Sequence, residues 1–160
     1  MALTVIDYDS LRQYFSNVAA SHVDINSFKF GDIDVILNSM KSDLSLPVLW
    51  LQVHDPVTII DNLSDNFMGD KKTSIYIMDS APDETFSNRQ AKYVELESIA
   101  RDIISKILLD WNNGDIFTRF SNFVYGPMED IKGSVRLIGC RIDLNFQVPM
   151  RLVYNEAKWQ

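Results

Sequence analysis

Residue types that could support nucleophilic catalysis are sparse in this chain. Catalysis by a serine or cysteine needs a histidine within reach and an acid that orients the histidine. The sequence has two histidines, His22 and His54, and one cysteine, Cys140, and no serine stands in a Gly-x-Ser-x-Gly turn. Cys140 falls among the apolar residues of an alternating stretch, where a thiol usually packs as a small hydrophobic group. We therefore expect Cys140 to belong to the core, and we predict no catalytic residues.

An acidic stretch, "DNLSDNFMGDKK", offers the best candidates for a metal site. Asp61, Asp65 and Asp70, with Lys72 beside them, would suit a small enzyme that uses Mg²⁺, Mn²⁺ or Ca²⁺, since these ions prefer oxygen ligands. The stretch lacks the regular oxygen spacing and the terminal glutamate of an EF-hand loop. The sequence also has no His-Glu-x-x-His or Cys-x-x-Cys motif. We interpret the stretch as a solvated acidic turn and predict no metal or cofactor.

Phosphate-binding signatures are absent as well. Neither the P-loop pattern nor the Gly-x-Gly-x-x-Gly pattern occurs in the sequence. The formal net charge of −7 argues against a protein that grips nucleic-acid backbones, because that affinity comes from lysine and arginine. An acidic surface would instead repel DNA that passes beside it. We expect no stable nucleic-acid complex.

Length and composition favour one globular domain. The 160 residues are 46% hydrophobic and contain no internal repeat or low-complexity tract. A chain of this size buries about 70% of its unfolded surface, so it needs no metal or disulfide to fold. The first residues, "MALTVIDYDSLRQYF", lack the basic and apolar regions of a signal peptide, and no apolar run is long enough for a membrane span. We expect assembly in the cytoplasm and no membrane partner.

Helical periodicity occurs in three segments. Leu11, Tyr14, Phe15 and Val18 predict a helix over Asp9–Ala20. A shorter helix is expected over Asp32–Ser42. The longest helix has a wide apolar stripe, with Ser87 or Asn88 as its cap and Asn112-Asn113-Gly114 as its stop. The stripe consists of Leu96, Ile99, Ala100, Ile103, Ile104, Ile107, Leu108 and Trp111.

Strand-like segments occupy much of the remaining chain. The predicted strands are Val48–Val53, Val57–Asp61, Thr73–Asp79, Phe120–Tyr125 and Ser134–Pro149. The intervening "NLSDNFMGDKK" is predicted to be a loop or hairpin tip, and Gly126-Pro127 is predicted to end a strand. The expected fold class is α+β, with a mostly antiparallel sheet, one long helix across a face, and N-terminal helices. The single domain would span 1–160, with its core at about 8–148 and an edge strand or tail at 149–160.

The most regular strand pattern is "SVRLIGCRIDLNFQVP". Alternate residues from Ile138 to Val148 are apolar and should face the core. The opposite parity is polar and has no catalytic partner elsewhere in the chain. This second face is therefore a candidate surface toward a neighbouring subunit or a channel. Its residues are Arg141, Asp143, Asn145 and Gln147.

The order of these segments resembles that of tail-completion, or tail-terminator, proteins of tailed bacteriophages. The resemblance runs from an N-terminal helix through "FKFGDIDVILNSMKSDLSLPVLWLQV", a hairpin, the long helix "NRQAKYVELESIARDIISKILLDW", and strands ending in "GSVRLIGCRIDLNFQV". It covers roughly residues 8–148. The "FGDIDVIL…LPVLWLQ" stretch is similar to versions from phages or prophages of Bacteroidetes-type hosts.

The resemblance implies a non-enzymatic virion protein that forms a ring, typically a hexamer, on the tail tube. Such rings stop tube polymerisation and join the tail to the head–neck, and DNA only passes through them. The implied partners are further copies of the chain, the tail-tube protein and the connector or neck proteins. A hairpin corresponding to Asn62–Asp70 would reach a neighbouring subunit or ring. Its candidate contact residues are Asp61, Asp65, Phe67 and Asp70.

Three alternatives remain open at this point. A head–tail connector or neck ring shares the general architecture. A small metal-dependent enzyme would use Asp61, Asp65, Asp70 and Lys72. A cytosolic adaptor would bind one protein partner through an edge of the sheet.

Overall fold

The computed structural model describes residues 8–32, 45–53, 56–61, 67–81, 86–116, 119–129 and 137–150. Over these residues the chain forms two helices and six strands. In chain order they are α1 (Tyr8–Ser21), β1 (Ser27–Phe30), β2 (Val48–Leu51), β3 (Thr58–Asp61), β4 (Phe67–Ser80), α2 (Phe86–Asn112), β5 (Arg119–Glu129) and β6 (Leu137–Met150). Beyond Asp32, the predicted helix over 32–42 lies outside the described residues, as does the predicted tail after Met150.

The strands form one mixed sheet with the order β1-β2-β4-β6-β5, and β3 pairs with β4 beside this path. The β1–β2 pair is parallel, and the other four pairs are antiparallel. The predicted α+β class with a mostly antiparallel sheet is confirmed. No strand was predicted between the first two helices, but Ser27–Phe30 forms one because it pairs with Val48–Leu51.

Both helices pack on the same face of the sheet. The main core joins the buried sides of α1 and α2 to apolar side chains of β2, β4 and β6. In α2 the buried stripe follows Leu96, Ile99, Ile103 and Ile107 and then reaches Asp110. This stripe has the 3-and-4 spacing of one helix face.

The end of α2 differs in part from the prediction. Leu108 and Trp111 are exposed, because the buried stripe continues through Asp110, which bonds to α1. The helix already begins at Phe86, so Ser87 and Asn88 lie in its first turn and cannot cap it. The predicted stop is confirmed. Gly114 has φ +74°, a left-handed conformation in which glycine ends a helix without strain.

The centre of the sheet is the long β4–β6 ladder, which runs from the Phe67–Met150 pair to the Ser80–Leu137 pair. Residues 67–72 were predicted as part of a loop, but they belong to β4, because they pair with β6. The prediction that Gly126-Pro127 ends a strand was also wrong, since β5 continues to Glu129. Within the described strands β5 pairs only with β6, and such edge positions tolerate a proline.

Neither described helix combines the length and the apolar character that a transmembrane helix requires.

Candidate functional site

The face of the sheet opposite the helices is divided into an apolar end and a polar end. The apolar end is a second small core made of Val48, Trp50, Tyr76, Met78 and Leu137. At the polar end lie the side chains of β6 that were predicted to form a polar face. Arg141 is exposed and Asp143, Asn145 and Gln147 are half-buried, whereas their apolar neighbours from Ile138 to Val148 are buried. The predicted alternation of β6 is confirmed.

The register of β4 against β6 decides which side chains meet on this face. Tyr76 stands opposite Arg141, Ser74 opposite Asp143, and Lys72 opposite Asn145. Directly opposite residues in an antiparallel pair have side chains in contact range. Two strands that are far apart in the sequence therefore build one polar surface together.

A hydrogen-bonded network joins the first two of these rows. The Ser74 hydroxyl donates to Asp143 Oδ1 over 2.5 Å, and Arg141 Nε donates to the same oxygen over 2.7 Å. Arg141 Nη2 also donates to the Ser74 hydroxyl oxygen over 3.2 Å. Hydrogen bonds to ionised groups are shorter and stronger than neutral ones. The three side chains thus hold one another in a fixed arrangement.

An aromatic stack supports the arginine from the side of the apolar end. The Arg141 guanidinium lies 5.7 Å from the centre of the Tyr76 ring, a cation–π distance. Tyr76 stacks in turn on Trp50, with ring centres 4.8 Å apart. The Tyr76 hydroxyl donates to Gln52 Oε1 over 2.8 Å. Arg141 is therefore positioned before anything binds to it.

A cleft of about 370 Å³ opens over this network. It forms where the short side chains of Ser74 and Asp143 lie between longer ones, with Arg141 on one side and Lys72 on the other. Two exposed valines, Val53 and Val124, form part of its rim. We call this feature the Lys72–Asp143 cleft. It combines a polar floor, two cations and aliphatic walls, which suits recognition of a polar group on another molecule.

Three of the four predicted face residues, Arg141, Asp143 and Asn145, line the cleft. Gln147 lies one row further along β6, opposite Asp70. Prediction from the sequence missed Gln52, Ser74 and Tyr76. The alternation of "TSIYIMD" could have shown that Ser74 and Tyr76 lie on the same face of their strand. It does not indicate which residues of β6 they contact.

The residues predicted for an inter-ring loop are distributed differently. Phe67 and Asp70 lie within β4, so their assignment to a loop was wrong; the cause is their pairing with β3 and β6. Asp61 ends β3 opposite Phe67, and Asp65 lies outside the described residues. A shorter connection between β3 and β4 remains as the candidate loop.

The pairing of β3 with β4 argues against a metal site built from Asp61 and Asp70. Asp61 shares a face with Phe67, whereas Asp70 has the opposite parity in β4, so the two carboxylates point to opposite faces. Among the residues that the structure describes, no three histidine, cysteine, aspartate or glutamate side chains group as a metal site would require. The described part of the chain gives this alternative no support.

A second polar group that the sequence did not reveal joins the two helices. Asp110, which is buried, accepts hydrogen bonds from the Tyr14 hydroxyl (2.9 Å) and from Lys106 Nζ (2.5 Å). Burial and the bond to Asp110 raise the pKa of Tyr14 above its ordinary value. Both oxygens of Asp110 are satisfied, so the group acts as a brace between α1 and α2. The position of Asp110 on the apolar stripe of α2 was the feature of the sequence that could have indicated this buried contact.

Cys140 is fully buried, as predicted. Burial, with a smaller contribution from the charge of Glu97, raises the pKa of its thiol to about 11. A thiol with such a pKa is hardly ionised at neutral pH and is a poor nucleophile. His54 lies outside the described residues, and His22 stands just after α1, where its Nδ1 accepts the backbone N–H of Asp24.

No model of a known protein family matches this sequence, and a search of curated proteins found no match either. The resemblance to tail-completion proteins therefore stays a prediction. The geometry of the sheet is the main ground on which a function can be proposed.

Proposed function

We propose that this chain is a non-enzymatic structural protein of a tailed bacteriophage, which forms a ring at the top of the tail and joins the tail to the head–neck. The observation that carries the proposal is the polar face of the sheet. Its Arg141, Asp143 and Ser74 side chains are ordered by their own contacts, and within the described residues no helix packs against them. A pre-ordered polar surface suits contact with a neighbouring subunit.

The two-layer architecture adds support. In the tail-completion family, which this sequence resembles, the helices pack on the outside of the ring, and the sheets face the channel or contact neighbouring subunits. Here both described helices cover one face only, which leaves the polar end of the other face and the edge strands for assembly. Head-to-tail contacts of this kind generate a ring when the rotation closes.

The exposed strand β3 also favours assembly. All four of its residues are exposed, including Ile59 and Ile60, and it pairs only with β4 among the described strands. Exposed apolar side chains on a short outer strand are a typical contact for another protein. We propose that β3 and its connection to β4 contact a neighbouring subunit or ring.

The proposal is tested by assembling the purified protein with isolated tail tubes. Native mass spectrometry and negative-stain microscopy should show a closed homo-oligomer, with six subunits expected, and a ring at one end of each tube. A strict monomer at every concentration, with bare tube ends, would contradict the proposal.

The same experiment separates a tail terminator from a connector or neck ring. A terminator binds tail tubes and limits their length during polymerisation. A connector or neck ring would bind purified heads through the portal side and leave tube length unchanged. Tubes of uniform length formed only in the presence of this protein are the expected result.

A further inference from the structure

The Lys72 side chain stands out among the cations of the described chain. It is exposed, it lines the Lys72–Asp143 cleft, and no hydrogen bond or ion pair is found for it within the described residues. By contrast, Lys106 pairs with Asp110 and Lys92 pairs with Asp79. These two lysines are thus used inside the subunit, whereas Lys72 lines the cleft and its ammonium group is available to another molecule.

The charges that line the cleft do not balance. Arg141 and Asp143 form an ion pair with each other, at 2.7 Å between Nε and Oδ1. The ammonium group of Lys72 therefore leaves the cleft with a positive bias, although the chain as a whole carries a net charge of −7. Two copies of an acidic protein repel each other in most orientations. A local positive site on one copy favours the orientation in which it meets an acidic group of the other copy.

The shape and chemistry of the cleft fit a carboxylate on a short stem. Hydroxyl and amide groups of Ser74 and Asn145 border the floor, and the valines of the rim can contact the aliphatic part of an incoming side chain. A carboxylate would accept hydrogen bonds from the ammonium of Lys72, and charge-assisted bonds of this kind are the stronger class.

We propose that the Lys72–Asp143 cleft receives an aspartate or glutamate side chain from a second copy of this chain. The proposal rests on the ring proposed above and identifies one of its contacts. A second copy is the occupant because the chain has 22 acidic residues against 15 basic ones, so its own surface is rich in the complementary group. In a head-to-tail ring every cleft meets the same surface of the next subunit.

Charge reversal at the cleft is the first test. Lys72→Glu should weaken self-association by roughly tenfold or more, because it places like charges together at the contact. Arg101→Glu makes the same change of charge on an exposed residue of α2 and serves as the matched control. The control should associate like the wild type, and both variants should keep the wild-type melting temperature. Equal association of Lys72→Glu and the wild type, or equal weakening by Arg101→Glu, would overturn the proposal.

A zero-length carbodiimide cross-linker gives a direct second readout, because it couples an amine only to a carboxylate in contact with it. An equimolar mixture of ¹⁴N and ¹⁵N protein should yield peptides that join Lys72 of one copy to an aspartate or glutamate of the other. The Lys72→Arg variant keeps the charge but should lose this cross-link while still assembling. Assembly without any such cross-link at Lys72 would overturn the proposal, as would a cross-link from Lys72 only to another protein.

The two proposals fail in distinguishable ways. Rings that form equally well with Lys72→Glu would remove the role of the cleft and leave the ring itself intact. A wild-type protein that never assembles would remove the ring, and the cleft contact with it.

Discussion

Cys140 shows how burial controls the chemistry of one side chain. With its thiol pKa raised to about 11, only about one thiol in a thousand is ionised at pH 8, and the folded sheet also blocks access. We therefore expect iodoacetamide to modify Cys140 much more slowly in the native protein than in urea, where the ordinary pKa applies. Mass spectrometry of timed samples measures both rates. Equal rates would show that Cys140 is accessible in the folded chain.

The Tyr14–Asp110 bond predicts a loss of stability. Tyr14→Phe should lower the free energy of unfolding by about 1 to 3 kcal/mol, because a buried oxygen of Asp110 loses its donor. Urea denaturation measures the change. Tyr125→Phe removes a hydroxyl from an exposed tyrosine and should have little effect. Similar losses in both variants would contradict the assigned role of the bond.

The same tyrosine gives a pH dependence. Folding raises the pKa of Tyr14 above its ordinary value of 10.0, so the folded state holds the proton more tightly than the unfolded state. The resulting stability is present below pH 10 and is lost as the pH rises above it. The difference in stability between the wild type and Tyr14→Phe should therefore narrow above pH 10. A difference that stays constant to pH 11 would contradict this sign.

At the residue scale the sequence predicted which face of a strand each side chain occupies, but not which side chains contact one another. The alternation of β6 correctly separated Arg141, Asp143 and Asn145 from the buried side. It did not reveal that Ser74 binds Asp143 or that Tyr76 lies against Arg141, because those contacts depend on the register of two distant strands. Periodicity is local information, whereas register is a property of the whole sheet.

At the scale of elements, Gly139 is a point of close approach between β4 and β6. A Cβ atom at this position would lie 2.8 Å from the backbone oxygen of Ile77. Gly139→Ala should therefore lower the free energy of unfolding by about 1 to 3 kcal/mol, since the two strands must shift. Thermal and urea denaturation measure this effect.

Gly126 on the neighbouring strand β5 offers a matched control. A Cβ atom there meets nothing within 4 Å, and the residue is also in a strand. Gly126→Ala should change stability by less than about 0.5 kcal/mol, as is usual for surface positions without special contacts. If both substitutions proved equally harmful, close packing at Gly139 would not be the cause.

Long periodic elements were predictable, as were the short strands β2 and β3, but β1 and the first half of β4 were not. The two helices α1 and α2 were found from their stripes, but β1 has four residues and is a strand only because β2 lies beside it. Gly69 and Asp70 favour turns locally, yet they pair on both sides within the sheet. In these places tertiary pairing overrides the local preference.

At the scale of the whole molecule, one face of the sheet packs against the helices and stabilises the fold, whereas the polar end of the other face is the proposed assembly contact. Arg141→Glu should weaken ring formation by roughly tenfold or more, because it places a like charge beside Asp143 at the proposed contact. Both side chains are more than 40% exposed, so their ion pair adds at most about 1 kcal/mol to stability. Native mass spectrometry and thermal denaturation follow the two effects. A large loss of stability with intact assembly would show that this face stabilises the fold and does not contact a neighbouring subunit.

The β4–β6 ladder also determines when the molecule can fold. Ser80 pairs with Leu137 and Phe67 with Met150, so all of α2 and β5 lie between the two central strands in the sequence. During synthesis β4 leaves the ribosome long before β6 and keeps the edge that pairs with β6 unpaired until β6 emerges. Pairing between such distant segments is slow and exposes nascent chains to aggregation. A chain truncated before β6 should therefore be insoluble, and co-expression of chaperones should raise the yield of the full-length protein.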